Sequence, residues 1–72
     1  MSEFIRFGPS VEYVTRDDGV VVPIRFIAVE REVGGDIRYF KMSIPLSCSD
    51  EHMDAMWKIC ETRWERRNLD RN

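Results

Sequence analysis

The chain has 72 residues, 43% of them hydrophobic, and a formal net charge of −2. A chain of this size buries only about 60% of its unfolded surface, which supports one domain over residues 1–72 and excludes a second domain or a deep substrate cavity. The acidic balance argues against a general nucleic-acid binder, which carries a basic excess.

Glu3 to Phe7 (E-F-I-R-F) is short and strand-like, and Gly8-Pro9-Ser10 reads as a turn that closes it. Val11 to Thr15 is β-branched and aromatic, as a strand requires. It runs into Arg16-Asp17-Asp18-Gly19, where Gly19 can supply the positive φ of a tight turn. A β-rich stretch follows from Val20 to Val33. Pro23 within it cannot donate to a ladder and so marks an edge, a bulge or a break. The pattern leaves two partners open for the Val11–Thr15 strand: the long strand, or a second chain.

Gly34-Gly35 permits the favoured two-residue turns and joins Ile24–Val33 to Ile37–Ile44. With those glycines as the loop, Val33 faces Asp36, Arg31 faces Arg38, Val29 faces Phe40, Ile27 faces Met42 and Arg25 faces Ile44. Side-chain alternation then gathers Ile27, Val29, Phe40, Met42 and Ile44 on one face, as a core face should be. The other face receives Ile24, Phe26, Ala28, Glu30, Glu32, Ile37, Tyr39, Lys41 and Ser43.

Pro45-Leu46-Ser47-Cys48 breaks the strand, and Ser47 or Ser49 can cap a helix. Asp50, Glu51 and Asp54 place negative charge in its first turns. Met53, Met56, Trp57, Cys60 and Trp64 then fall in one stripe about 100° wide. Asp54, Lys58, Glu61, Thr62 and Glu65 fill the opposite side, and Arg63, Arg66, Arg67 and Arg71 complement the dipole at the C-terminal end. A helix from Asp50 to Asn68 is expected. The fold class is therefore α+β: a small antiparallel sheet of three to four strands in β-β-β-α order, with one amphipathic helix packed on one face.

Catalytic and ligand-binding patterns are weak. Cys48 and His52 stand four residues apart near the helix start, where a thiol gains acidity, but Asp50 and Glu51 oppose that effect. His52 and Cys60 are separated by about 12 Å of helix and cannot share a metal. There is no phosphate-cradling glycine loop and no calcium-loop spacing. No catalytic, cofactor-binding or metal-binding residues are assigned, and the chain is not expected to be an enzyme. Two cysteines, no apolar leader in Met1–Gly8 and no apolar run of about 20 residues predict a cytoplasmic protein with reduced thiols and no membrane segment.

Three surfaces carry residue types suited to a partner. At the helix end, Trp64 stands among Arg63 and Arg67, although its alignment with Trp57 and Cys60 also fits a core position. At the hairpin, Arg31 opposes Arg38, a like-charge pair that an acidic partner or the neighbouring Glu30, Glu32 and Asp36 can offset. On the sheet face away from the helix, Phe26 and Tyr39 lie with Ile24 and Ile37, to be covered by Phe4, Ile5 and Phe7, by the Val11–Thr15 strand, or by a partner. Among the basic residues arginine outnumbers lysine nine to two, which suits protein contacts and equally follows from a GC-rich genome. The expected function is a non-enzymatic protein-interaction domain, a small prokaryotic or phage-type regulator or inhibitor of a larger protein. A second copy of the chain, through the sheet edge or face, is a further expected partner. The alternative is a small module for RNA or single-stranded nucleic acid, built on Arg31, Arg38, Phe26 and Tyr39.

Overall fold

A computed structural model describes residues 3–69. Three strands, β1 (Ile5–Thr15), β2 (Val21–Val33) and β3 (Asp36–Ile44), precede one helix, α1 (Asp50–Asn68). The strands form one antiparallel sheet in the order β1-β2-β3, and α1 lies across one of its faces in contact with β2 and β3.

The β2–β3 register is the one that the Gly-Gly loop implies: Val33–Asp36, Arg31–Arg38, Val29–Phe40, Ile27–Met42 and Arg25–Ile44. Gly34 and Gly35 both take positive φ, 57° and 89°, as a type I′ turn demands. One face of this hairpin meets the helix stripe, and Ile27, Val29, Ile44, Met53, Trp57, Cys60 and Trp64 form the core, with Phe4, Phe40, Met42 and Met56 packed at its margin.

The N-terminal segment departs from the expectation of a turn at Gly8-Pro9-Ser10. β1 runs straight through it as a single strand, with a register shift between Phe7 and Ser10 where Gly8 and Pro9 together stand opposite Ile27, one residue more than the ladder needs. Gly8 takes φ 95°, and the Gly8–Pro9 peptide is cis. A bulge explains why turn-type residues sit inside a strand: the extra residue interrupts the ladder without ending it. Val11–Thr15 pairs with Val21–Arg25 of the same chain, closed by a turn in which Asp18 accepts the Val20 amide at 3.0 Å. Pro23 pairs with Tyr13 at a level where β3, which begins its pairing at Arg25, no longer runs alongside. That is the edge position a proline tolerates.

Ser49 is the helix N-cap, with extended backbone (φ −81°, ψ 164°), but its side chain makes no capping bond. Its hydroxyl instead lies 2.7 Å from His52 Nδ1, which leaves Asp50 and Glu51 to complement the first turn.

Candidate interaction surface

The register places Ile5, Phe7, Ser10, Glu12 and Val14 of β1 on the face away from α1, beside Ala28, Phe26 and Ile24 of β2 and Ile37, Tyr39 and Lys41 of β3. β1 therefore widens this face as a third strand and does not fold over it. Five large apolar residues remain open there: Ile5 (54% exposed), Phe7 (42%), Val14 (40%), Ile37 (68%) and Tyr39 (57%). The Phe7 and Tyr39 rings meet across β2 with centroids 6.0 Å apart. Ala28, between Phe7 and Lys41 in the ladder, is buried by the side chains that flank it. Lys41 lies 4.1 Å above the Phe26 ring and donates to Glu12 Oε2 at 2.8 Å, so this cation beside the aromatics has a carboxylate partner.

Of the residues singled out from sequence, Phe26 and Tyr39 share this open face, with Phe26 half-buried under Lys41. Arg31 and Arg38 face each other as expected, but their side chains turn to the helix side. The Arg31 guanidinium lies 4.7 Å from the Phe4 ring centroid and 5.6 Å from that of Trp64, with Glu65 at 3.7 Å. Arg38 donates to the Asn68 carbonyl at 3.1 Å and reaches Asp36 at 3.8 Å. The opposed arginines are thus drawn apart onto different partners, Glu65 and the helix C-terminus. Trp64 is fully buried, edge-on to Phe4 at 5.2 Å, and donates its indole N–H to Arg38 O. It holds the core and offers no surface to a partner.

Arg63 and Arg67 stay exposed on the flank of α1 that overhangs β3. Arg63 Nη1 approaches Met42 Sδ at 3.8 Å, and the Arg67 guanidinium lies 5.2 Å from the Phe40 ring centroid. Arg63 and Arg66 also line an open groove with Lys58, Ile59 and Thr62. Across α1, Glu61 and Glu65 pair with Arg6 and Arg31. The helix is therefore divided by charge: acids toward β1 and β2, cations toward the outer edge of β3. Among the described residues no carboxylate lies within ion-pair distance of Lys58, Arg63, Arg66 or Arg67.

Sequence reasoning missed the part of Ile5 and Phe7 in the open face, because the Gly8–Pro9 bulge looked like a turn. The signal was the alternation of E-F-I-R-F, which sends Phe4 and Arg6 to the helix side and Ile5 and Phe7 to the other.

Cys48 and Cys60 are both free thiols. Cys48 Sγ contacts Ser49 O and Met53 Sδ, whereas the His52 ring is turned to Ser49. Cys60 is fully buried, and that burial raises its thiol pKa above the ordinary value, with Glu61 adding to the effect and Arg63 opposing it. Among the described residues no group of three or more His, Cys, Asp or Glu side chains is placed to hold a metal ion, and no helix is long and apolar enough to cross a membrane. Compared with protein-family models, curated proteins and solved structures, the chain has no significant match.

Proposed function

We propose that this chain is a non-enzymatic protein-interaction domain, a small cytoplasmic regulator or inhibitor that docks its open sheet face on a larger protein. The observation that carries this reading is the exposed cluster of Ile5, Phe7, Ile37 and Tyr39 on a rigid antiparallel sheet. A contiguous apolar patch on a small protein lowers its solubility unless a partner covers it, and flat aromatic-bearing patches of this kind mark association sites. The cationic flank of α1, with Arg63 and Arg67, adds a second contact region next to the same sheet.

The second reading, a module for single-stranded nucleic acid, draws on Phe7, Phe26 and Tyr39 as stacking rings beside Lys41. It ranks lower because Glu12 engages that lysine and Glu30 stands between Ile5 and Tyr39 in the ladder. A phosphate backbone would meet carboxylates there.

The test is affinity capture from host lysate with the wild-type chain and a Phe7→Ser/Tyr39→Ser variant, with and without nuclease. A stoichiometric protein that survives nuclease and is lost with the variant supports the proposal. Capture that vanishes on nuclease treatment overturns it in favour of the nucleic-acid module, and capture indifferent to the variant removes the sheet face.

A further inference from the structure

β3 is an edge strand: it pairs with β2 on one side and, among the described residues, with no strand on the other. The two-residue turn makes Val33 and Asp36 a hydrogen-bonded pair, and such pairs alternate along an antiparallel ladder. Asp36, Arg38, Phe40, Met42 and Ile44 therefore direct their backbone groups to β2. Ile37, Tyr39, Lys41 and Ser43 direct theirs outward, a row of donors and acceptors ready to receive another strand.

The two sides of this edge differ in chemistry. Toward the helix, it is overhung by Arg63 beside Met42 and Arg67 beside Phe40, cations with no carboxylate partner among the described residues. On the opposite side it presents Ile37 and Tyr39, both more than half exposed. A strand laid along the edge would send alternate side chains to these two environments. A second copy of this chain is a poor occupant. Antiparallel β3–β3 pairing about a two-fold axis keeps both helices on one side of the joined sheet and brings four arginines to one seam, and like charges so placed are repulsive.

We infer that the β3 edge accepts an antiparallel extended segment of a partner protein in which acidic and apolar residues alternate. The acids lie under Arg63 and Arg67; the apolar residues extend the face begun by Ile37 and Tyr39. This mode adds main-chain hydrogen bonds for affinity and alternate side chains for specificity. It rests on the protein-interaction reading above and specifies the chemistry of the partner.

The experiment is fluorescence anisotropy with a fluorescein-labelled nonapeptide alternating glutamate and valine, titrated with the full chain. In the inferred pairing the peptide's valines sit opposite Ile37, Tyr39 and Lys41, so their N–H groups point at β3 and those of the glutamates point away. N-methylation of the valines is expected to weaken binding roughly tenfold or more, and N-methylation of the glutamates to change it little. R63E/R67E should weaken the unmodified peptide by about tenfold or more. Because the N-methyl comparison uses the unaltered chain, it does not depend on how that variant folds. No binding at millimolar peptide, equal binding of a peptide with the same residues in two blocks, or indifference to valine N-methylation overturns the inference. A single-stranded oligonucleotide that outcompetes the peptide overturns it too. If the peptide fails while the Phe7→Ser/Tyr39→Ser variant still loses a captured protein, strand addition falls and the sheet-face reading stands.

Discussion

Trp64 donates its indole N–H to the carbonyl oxygen of Arg38 at 2.8 Å, and Arg38 returns a bond from its guanidinium to the Asn68 carbonyl at 3.1 Å. One strand residue thus holds the last turns of α1 twice, through its backbone and its side chain. Asn68 Nδ2 in turn donates to Trp64 O at 2.8 Å. Replacing the indole by a phenyl ring removes the donor and leaves a gap in a fully buried site. Trp64→Phe is therefore expected to lower stability by about 1–3 kcal/mol. The urea midpoint, at unchanged m-value, measures it. A loss of only a few tenths would mean that the indole hydrogen bond does not anchor the helix.

Arg31 illustrates how a residue that looks like a binding group becomes structural. Its side chain is 16% exposed, stacked near Phe4 and Trp64 with Glu65 at hand. The planar guanidinium covers the aromatic edge of the core while its charge faces the helix acid. Arg31→Ala should cost about 1–2 kcal/mol, and Lys should restore less than half of it, since an ammonium cannot stack in the same way. Thermal melts of the three proteins decide the point. Equal melting of the Lys and Arg forms would reduce Arg31 to a point charge.

Gly8 is the backbone position on which the open face depends. Its φ of 95° is in the left-handed region, and a Cβ there would lie 2.9 Å from Phe26 O and 3.0 Å from Ser10 N, both backbone atoms. Gly19 has a similar φ of 86° but open space around its Cβ position. Gly8→Ala is thus expected to cost about 2–4 kcal/mol and Gly19→Ala about 1 kcal/mol, strain plus clash against strain alone. Denaturant titration of the two variants separates these contributions. Equal losses would show that the bulge relaxes around the new methyl group.

The β2–β3 hairpin and α1 were legible because independent signals agreed on them. Gly34-Gly35 set a turn, alternation from Arg25 to Ile44 matched its register, and the stripe from Met53 to Trp64 ran uninterrupted between Ser49 and Asn68. β1 was obscured at Gly8-Pro9, since the residues of a bulge and those of a turn are the same types. The arginines were harder still. Arg31, Arg38, Arg63 and Arg67 read alike in sequence, and only the crossing of α1 over the sheet turns the first two inward and leaves the last two over the β3 edge. A side chain's freedom is a property of tertiary placement, which local pattern does not encode.

Cys60 gives the fold a pH dependence whose sign can be worked out. Burial, reinforced by Glu61 and opposed by Arg63, raises its folded-state pKa above the ordinary 9.0. As pH rises past that value the unfolded thiol loses its proton first, while the buried one keeps it. The unfolded state then binds fewer protons than the folded state, so stability falls with increasing pH. The contribution is intact below about pH 8 and is lost as pH climbs from 9.0 toward the raised folded value. Other groups titrate in the same range, so the comparison that isolates Cys60 is with Cys60→Ala. That variant starts less stable because of the cavity. Its urea midpoint should nevertheless decline less steeply between about pH 8 and pH 10.5 than that of the parent chain. Parallel slopes would mean that the thiol ionises as readily in the folded chain as in the unfolded one, and that the site beneath Trp57 and Trp64 is open to water.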